Sequence, residues 1–228
     1  MKLESKQIEF LKWIAILTMV IDHISFIYQT HILKDPYLAI EIRSTIGRIA
    51  FPLFSLILVH NFLYFTKNKK KYFKNLFILG LLSQPIFMIF FETTNTLNIF
   101  ITLLLGLLTI NTYINKEKYF EIKLIILFII SFFSDYGLFG LLFIFSIYFL
   151  LKYNSYMTLF ISFILLILSN ITFILHGLII ELIFSSILIY LIYLSSYKIH
   201  IGRSKKMFFY FFYPIHLLVI YIIFILYK

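Results

Sequence analysis

An aspartate and a histidine stand side by side, Asp22 and His23, inside LKWIAILTMVIDHI, an apolar stretch from Leu11 to Ile24 with the character of a membrane helix. A charged side chain at a helix centre in a bilayer costs about 2.5–3.5 kcal/mol on insertion scales, whereas each Leu, Ile or Phe returns only about 0.3–0.6 kcal/mol. An acid and an imidazole there need a reason, and proton movement is the chemistry they offer, because histidine changes charge near neutral pH. Ala15, Thr18, Asp22, Ser25 and Gln29 recur at helical spacing and share one stripe, while Ile14, Ile16, Leu17, Val20, Ile21 and Ile24 fall mostly elsewhere. The stripe is predicted to face protein rather than lipid. His23, about 100° further round the helix, reaches the same interior. The plainer alternative is a buried polar contact that fixes helix packing.

Other polar residues collect near the ends of apolar runs. Arg43 and Arg48 flank the second run, Asn98 opens LNIFITLLLGLL, Asp135 precedes the glycines of DYGLFG, and His176 and Glu181 sit near a later break. Each has an ordinary explanation: loop residues for Arg43, His176 and Asp135, N-caps for Asn98 and Asp135, and close packing for Gly106, Gly137 and Gly140. His216 lies in FFYPIHLL, two residues after Pro214, whose missing N–H frees a carbonyl. It is either a buried neutral histidine bonded in that region or a site residue. His60 reads as a packing or channel residue, and Pro52 and Pro85 as helix kinks.

The elements that must position these residues follow from composition. Of 228 residues 62% are hydrophobic, and the mean hydropathy is +0.99, well above the roughly 45–50% apolar content of an average soluble domain. Apolar runs separated near 30–45, 66–75, 92–97, 115–121, 134–137, 152–155, 170–178 and 195–206 predict an all-α integral membrane bundle of about nine transmembrane helices, read as one domain over 1–228. The fifth and sixth runs are shorter than the roughly 17 residues a span requires. With the N-terminus cytoplasmic and the C-terminus outside, only Lys34, Arg43, Arg48 and Lys228 fall outside, and every other Lys and Arg falls inside. The net charge of +10 is then largely topology. No nucleic-acid motif accompanies it. The dense KNKKKYFK stretch, Lys67 to Lys74, suits anionic lipid or a phosphate-bearing cytosolic donor. There is no cysteine, so thiolate catalysis, disulfides and a Cys-type zinc site are excluded, and no metal is expected. The first run is read as a retained helix, since no Ala-x-Ala cleavage site follows it.

Taken together and in order, LKWIAILTMVIDHI, GRIAFPLFSLILVHNF from Gly47, SQPIF from Ser83, LNIFITLLLGLL with DYGLFG, and FFYPIHLL resemble the TraX family of membrane proteins, whose namesake is associated with N-acetylation of F-type pilin. The resemblance implies a multi-pass protein of the bacterial cytoplasmic membrane that uses acetyl-CoA. Its motif residues land on Asp22, His23, Arg48, Pro214 and His216. Where many members carry an acid and then glycine at the end of the second motif, this chain has His60 and Asn61, so the acceptor is not carried over.

An amine acceptor must lose a proton to attack a thioester, and the developing oxyanion needs fixed donors. The expected catalytic set is therefore His23, as general base or transiently acetylated nucleophile, with Asp22 or Asp135 orienting its ring. Arg43, Arg48, Asn98 and His216 are the candidates for holding the donor or the oxyanion. The expected partners are acetyl-CoA, a small peptide or pilin and membrane lipids. A transporter would also place ionisable groups between helices, but no internal repeat is visible. A non-catalytic assembly or anchoring partner for pilus or peptide export is the remaining alternative.

Overall fold

A computed structural model describes residues 3–32, 37–116, 118–170 and 206–227. His176, Glu181 and the expected eighth span lie outside the described residues. The described chain is helical, as the sequence predicts, and carries no strand. Four stretches are long and apolar enough to cross a membrane: Ser5–Ile32, Tyr37–Tyr64, Lys69–Phe90 and Phe208–Leu226.

The chain divides into two compact units, one formed by Leu3–Ile57 and the residues from Asn170 onward, the other by Leu58–Ser169. In the first unit, α1 (Ser5–Ile27) runs into a π-helical turn, Tyr28–Ile32. The buried face of α1 carries Ala15, Thr18, His23 and Ser25, while Leu17 and Ile24 are exposed. The polar stripe does face protein. Ile16 is the exception among the apolar residues expected elsewhere, being 6% exposed.

Residues 30–45 were expected to separate the first two helices, yet α2 (Tyr37–Ser44) is already helical and continues through a 3₁₀ turn, Gly47–Ile49, into α3 (Ala50–Tyr64). Arg43 is consequently a buried helix residue and not a loop residue. Its charge is met by side chains of α1, which removes the reason for placing it in water. Pro52 falls in the first turn of α3. Proline cannot donate a backbone N–H, and the change from 3₁₀ to α geometry sits immediately before it, so Pro52 marks a helix start.

The second unit contains α4 (Lys69–Phe90), α5 (Ile99–Asn115), α6 (Phe120–Ser131), α7 (Gly137–Tyr153) and α8 (Tyr156–Ser169). At 12 residues α6 is about 18 Å long and too short to span, whereas α7 has 17 residues and meets the lower limit. Gly106 of α5 is a packing site: a Cβ there would lie 2.5 Å from Ile144 Cγ2 of α7. Gly137 is different. A Cβ there would meet nothing within 4 Å, but its φ is +57°, so glycine serves the backbone turn and not packing. The α6 residues Ile122, Ile125, Ile126 and Ile129 are all exposed, the outward apolar surface a lipid-facing helix presents. The closing helix, α9 (Lys206–Tyr227), belongs to the first unit and contains Pro214.

Candidate functional site

The polar side chains of the first unit gather around Asp22. Arg48 Nη2 donates to Asp22 Oδ1 at 3.3 Å, Arg43 Nε lies 3.6 Å from the same oxygen, and His23 Nε2 lies 3.9 Å from Oδ2. Both arginines are 8% exposed. Taking such charges out of water costs several kcal/mol per ion, so a buried guanidinium needs an anion and good hydrogen bonds. Asp22 supplies the anion. Arg43 Nη1 also donates to Gln29 Oε1 at 2.6 Å, and Arg48 Nε donates to the Arg43 carbonyl at 3.3 Å. The Arg43 guanidinium further sits 4.8 Å over the Phe26 ring, a cation–π contact. Helix α1 thus provides Asp22 and Phe26 and the π-helical turn that continues it provides Gln29, and the segment from α2 to the 3₁₀ turn brings both arginines to them.

Gly47 makes the close approach possible. A Cβ at that position would lie 2.9 Å from both Cβ and Cγ of Asp22 and nearer still to Oδ1. The glycine of the GRIA segment is therefore a requirement for seating the aspartate, a role that sequence spacing across two helices does not disclose.

His23 and His216 are buried at 6% exposure each. His23 Nδ1 and His216 Nε2 are 2.6 Å apart, and His216 Nδ1 is 2.8 Å from the carbonyl of Phe212. That carbonyl lies one turn back along α9. Tyr213 stands edge-on to both imidazoles, at ring-centre distances of 6.3 Å from His23 and 5.7 Å from His216.

Asp22, His23, Arg43, Arg48 and His216 thus come together within one unit. Asn98 and Asp135 belong to the other, where a backbone bridge draws their segments together: Leu97 N–H donates to the Phe133 carbonyl at 2.7 Å and Asp135 N–H to the Leu97 carbonyl at 2.9 Å. Asn98 is completely buried and caps α5, its Oδ1 accepting from Phe100 N–H at 3.0 Å while Nδ2 donates to the Gly80 carbonyl and to Gln84 Oε1. The N-cap expected of it is present. Asp135 is exposed, and the N-cap position of α7 is Tyr136, without a side-chain cap bond. His60 is fully buried against Tyr64 and Phe65, in keeping with packing.

Two features were not singled out from sequence. Glu9 is 2% exposed and pairs with Lys12 at 3.1 Å. Its acid-to-base spacing of three was visible, but its burial was not. Gln29 was placed on the stripe without a partner, because the arginine it holds arrives from another helix. In the second unit Lys67, Lys70, Lys71 and Lys74 are exposed and Lys69 lies 4.7 Å over the Phe62 ring. Asn68 caps α4 there by accepting from Lys71 N–H at 2.9 Å. Lysines at a helix N-terminus oppose the helix dipole, so they are not placed for the helix's sake, and they suit a phosphate-bearing group. Among the described residues no group of three or more His, Cys, Asp and Glu is arranged to hold a metal ion.

Neither the curated proteins nor the solved structures include a match to this chain. The profile of the family described as TraX protein matches residues 7–224, a range that takes in the whole Asp22 cluster and α9 as far as His216 and beyond. The chain belongs to the TraX family.

Proposed function

We propose that the protein is a membrane-embedded acetyltransferase that moves acetyl from cytosolic acetyl-CoA to an amine, the N-terminus of a pilin or other small secreted or membrane peptide, at the cell membrane. Family membership fits a membrane protein of pilin-related processes. The observation that carries the finer reading is the His23 imidazole, with Nε2 3.9 Å from the arginine-held carboxylate of Asp22.

When bound, acetyl-CoA supplies an acetyl thioester, so that transfer joins the acyl carbon to the acceptor nitrogen, breaks the carbon–sulfur bond and leaves a thiolate that needs a proton. His23 Nε2 takes the proton from the attacking amine and returns it to the departing sulfur. While it holds that proton, the Asp22 carboxylate, with Oδ2 3.9 Å from the same nitrogen, offsets the imidazolium charge. Arg43 and Arg48 hold the Asp22 carboxylate in place through their contacts with Oδ1, and are cationic groups of the cluster that a developing oxyanion could use. In the other unit Lys67, Lys70, Lys71 and Lys74 are exposed and have the charge to attract a phosphate-bearing molecule.

The test is transfer of labelled acetyl in membranes containing either the native chain or His23→Ala, read by intact mass of co-resident small peptides, with membrane insertion checked in parallel. Label on a peptide only with the native chain supports the reading. Full activity in His23→Ala overturns the assignment of His23. A second reading, a non-catalytic assembly or anchoring partner for peptide export, has the self-contained bonding of the cluster in its favour, since two arginines, one acid and two histidines bonded to one another also lock helices together. It predicts no label and no acetyl-CoA binding by the purified protein.

A further inference from the structure

Resting on the proposed role of His23 as base, we infer that His216 is a positioning residue that fixes the tautomer of His23 and so leaves Nε2 as its basic nitrogen. The geometry admits one arrangement of hydrogens for two neutral rings. The Phe212 carbonyl can only accept, so at 2.8 Å the proton lies on His216 Nδ1. A neutral imidazole carries one N–H, which makes His216 Nε2 an acceptor. The nitrogen facing it at 2.6 Å, His23 Nδ1, must then be the donor. His23 Nε2 is left with the lone pair, on the side of the ring where Asp22 Oδ2 lies at 3.9 Å.

Ring geometry supports a directional bond. The two planes are within 17° of parallel and their centres are 4.8 Å apart. Rings stacked face to face could not bring two nitrogens to 2.6 Å, because their faces would interpenetrate. Near-coplanar rings meeting edge to edge give that N–N distance plus the two centre-to-nitrogen radii, which is the separation observed. The N–H of His23 therefore points along the bond, as hydrogen bonding requires. The Phe212 ring lies beside His216, 10° from parallel with centres 5.0 Å apart, and holds its plane from the same helical turn. The relay thus runs from a backbone carbonyl of α9 through His216 to His23 on α1.

Such a relay sets the basicity and orientation of the working nitrogen without touching substrate. It also separates His216 from the groups that would hold the donor, because both of its ring nitrogens are engaged.

The test is ¹⁵N NMR of the full-length protein labelled at histidine rings and reconstituted in lipid nanodiscs, with the signals assigned by His23→Gln and His216→Gln. The native protein is expected to show His23 protonated at Nδ1 with a lone pair at Nε2. In His216→Gln, whose amide oxygen can accept at the place of the imidazole Nε2, the same His23 tautomer and most of the transfer activity are expected to survive. In His216→Phe the tautomer should move toward Nε2–H and transfer should fall by about a hundredfold, the low end of what general base catalysis contributes. A native spectrum with His23 protonated at Nε2 and not Nδ1 overturns the inference whatever the activity, and it remains decisive if His216→Phe fails to fold. An unchanged His23 tautomer in a folded His216→Phe also overturns it. An Nδ1–H tautomer that depends on residue 216, in a protein that transfers no acetyl, supports the pairing and refutes the acetyltransferase reading instead.

Discussion

At the scale of single residues, Asp22 matters through the number of groups that depend on it. Removing one partner from a buried charge pair is costly because the other charge stays behind, by about 3–5 kcal/mol in measured cases. Asp22→Ala strands two arginines that are 8% exposed each, and is expected to lower the thermal midpoint of the detergent-solubilised protein sharply, while Asp22→Asn, which keeps a hydrogen-bond acceptor, lowers it less. A midpoint for Asp22→Asn equal to the native one would show that the charge itself does not hold the cluster. Gly47→Ala tests the same site from its other side. The added methyl meets Asp22 Cβ and Cγ at 2.9 Å, so the carboxylate must move. A displacement of about 1 Å in a catalytic geometry is worth on the order of a hundredfold in rate, and acetyl transfer by Gly47→Ala is expected to fall on that scale with membrane insertion unaffected. Native rates in this variant would mean that Asp22 need not sit where it does.

At the scale of elements, the helices follow from apolar run length and periodicity, but what joins them does not. The stripe on α1 was legible because it lies within one helix, where a fixed angular step relates residues. The burial of Arg43 was not, because it depends on Asp22 and Gln29 of a different helix, and a lone arginine next to an apolar run is ordinarily a loop residue. Pro52 shows the same limit: proline signals interruption, but whether it kinks a helix or starts one depends on where the helix begins. Asn98 gives an element-scale prediction. Replacing an N-cap asparagine with alanine costs about 0.5–2 kcal/mol, and here Gln84 and the Gly80 carbonyl lose a buried donor as well. Asn98→Ala should destabilise the protein by at least the upper part of that range. Asn98→Asp keeps the acceptor for Phe100 N–H but sets a carboxylate against the Gly80 carbonyl, and should do no better. A thermal midpoint for Asn98→Asp equal to the native one would show that the donor side of Asn98 contributes nothing.

At the scale of the whole molecule, membrane character was readable from composition, since 62% hydrophobic residues exceed the roughly 45–50% apolar content of a soluble domain, and the helical architecture from the lengths of the apolar runs. Orientation is a separate matter, argued from where Lys and Arg fall relative to apolar runs. The absence of native cysteine makes it directly measurable with single introduced cysteines and a membrane-impermeant thiol reagent. In intact cells Thr94→Cys is expected to be labelled and Lys70→Cys protected, with the pattern reversed in inside-out vesicles. Labelling of Lys70→Cys from outside would invert the topology and detach the lysine stretch from any cytosolic donor. Among the candidate residues, Asp22, His23, Arg48 and His216 were marked by their chemistry, and the helices bring them together. The bond between His23 and His216 was invisible in the sequence, because it joins residues 193 positions apart.

The central claim, acetyl transfer that depends on His23, is met most directly with the purified protein reconstituted in lipid vesicles, given labelled acetyl-CoA and a short peptide with a free N-terminal amine, beside His23→Gln prepared in the same way. Time-dependent label on the peptide amine with the native protein, and a rate lower by about a hundredfold or more with His23→Gln, is the predicted result. Equal label in both preparations would contradict the role of His23, and no label in either, together with no binding of acetyl-CoA, would contradict the enzyme itself.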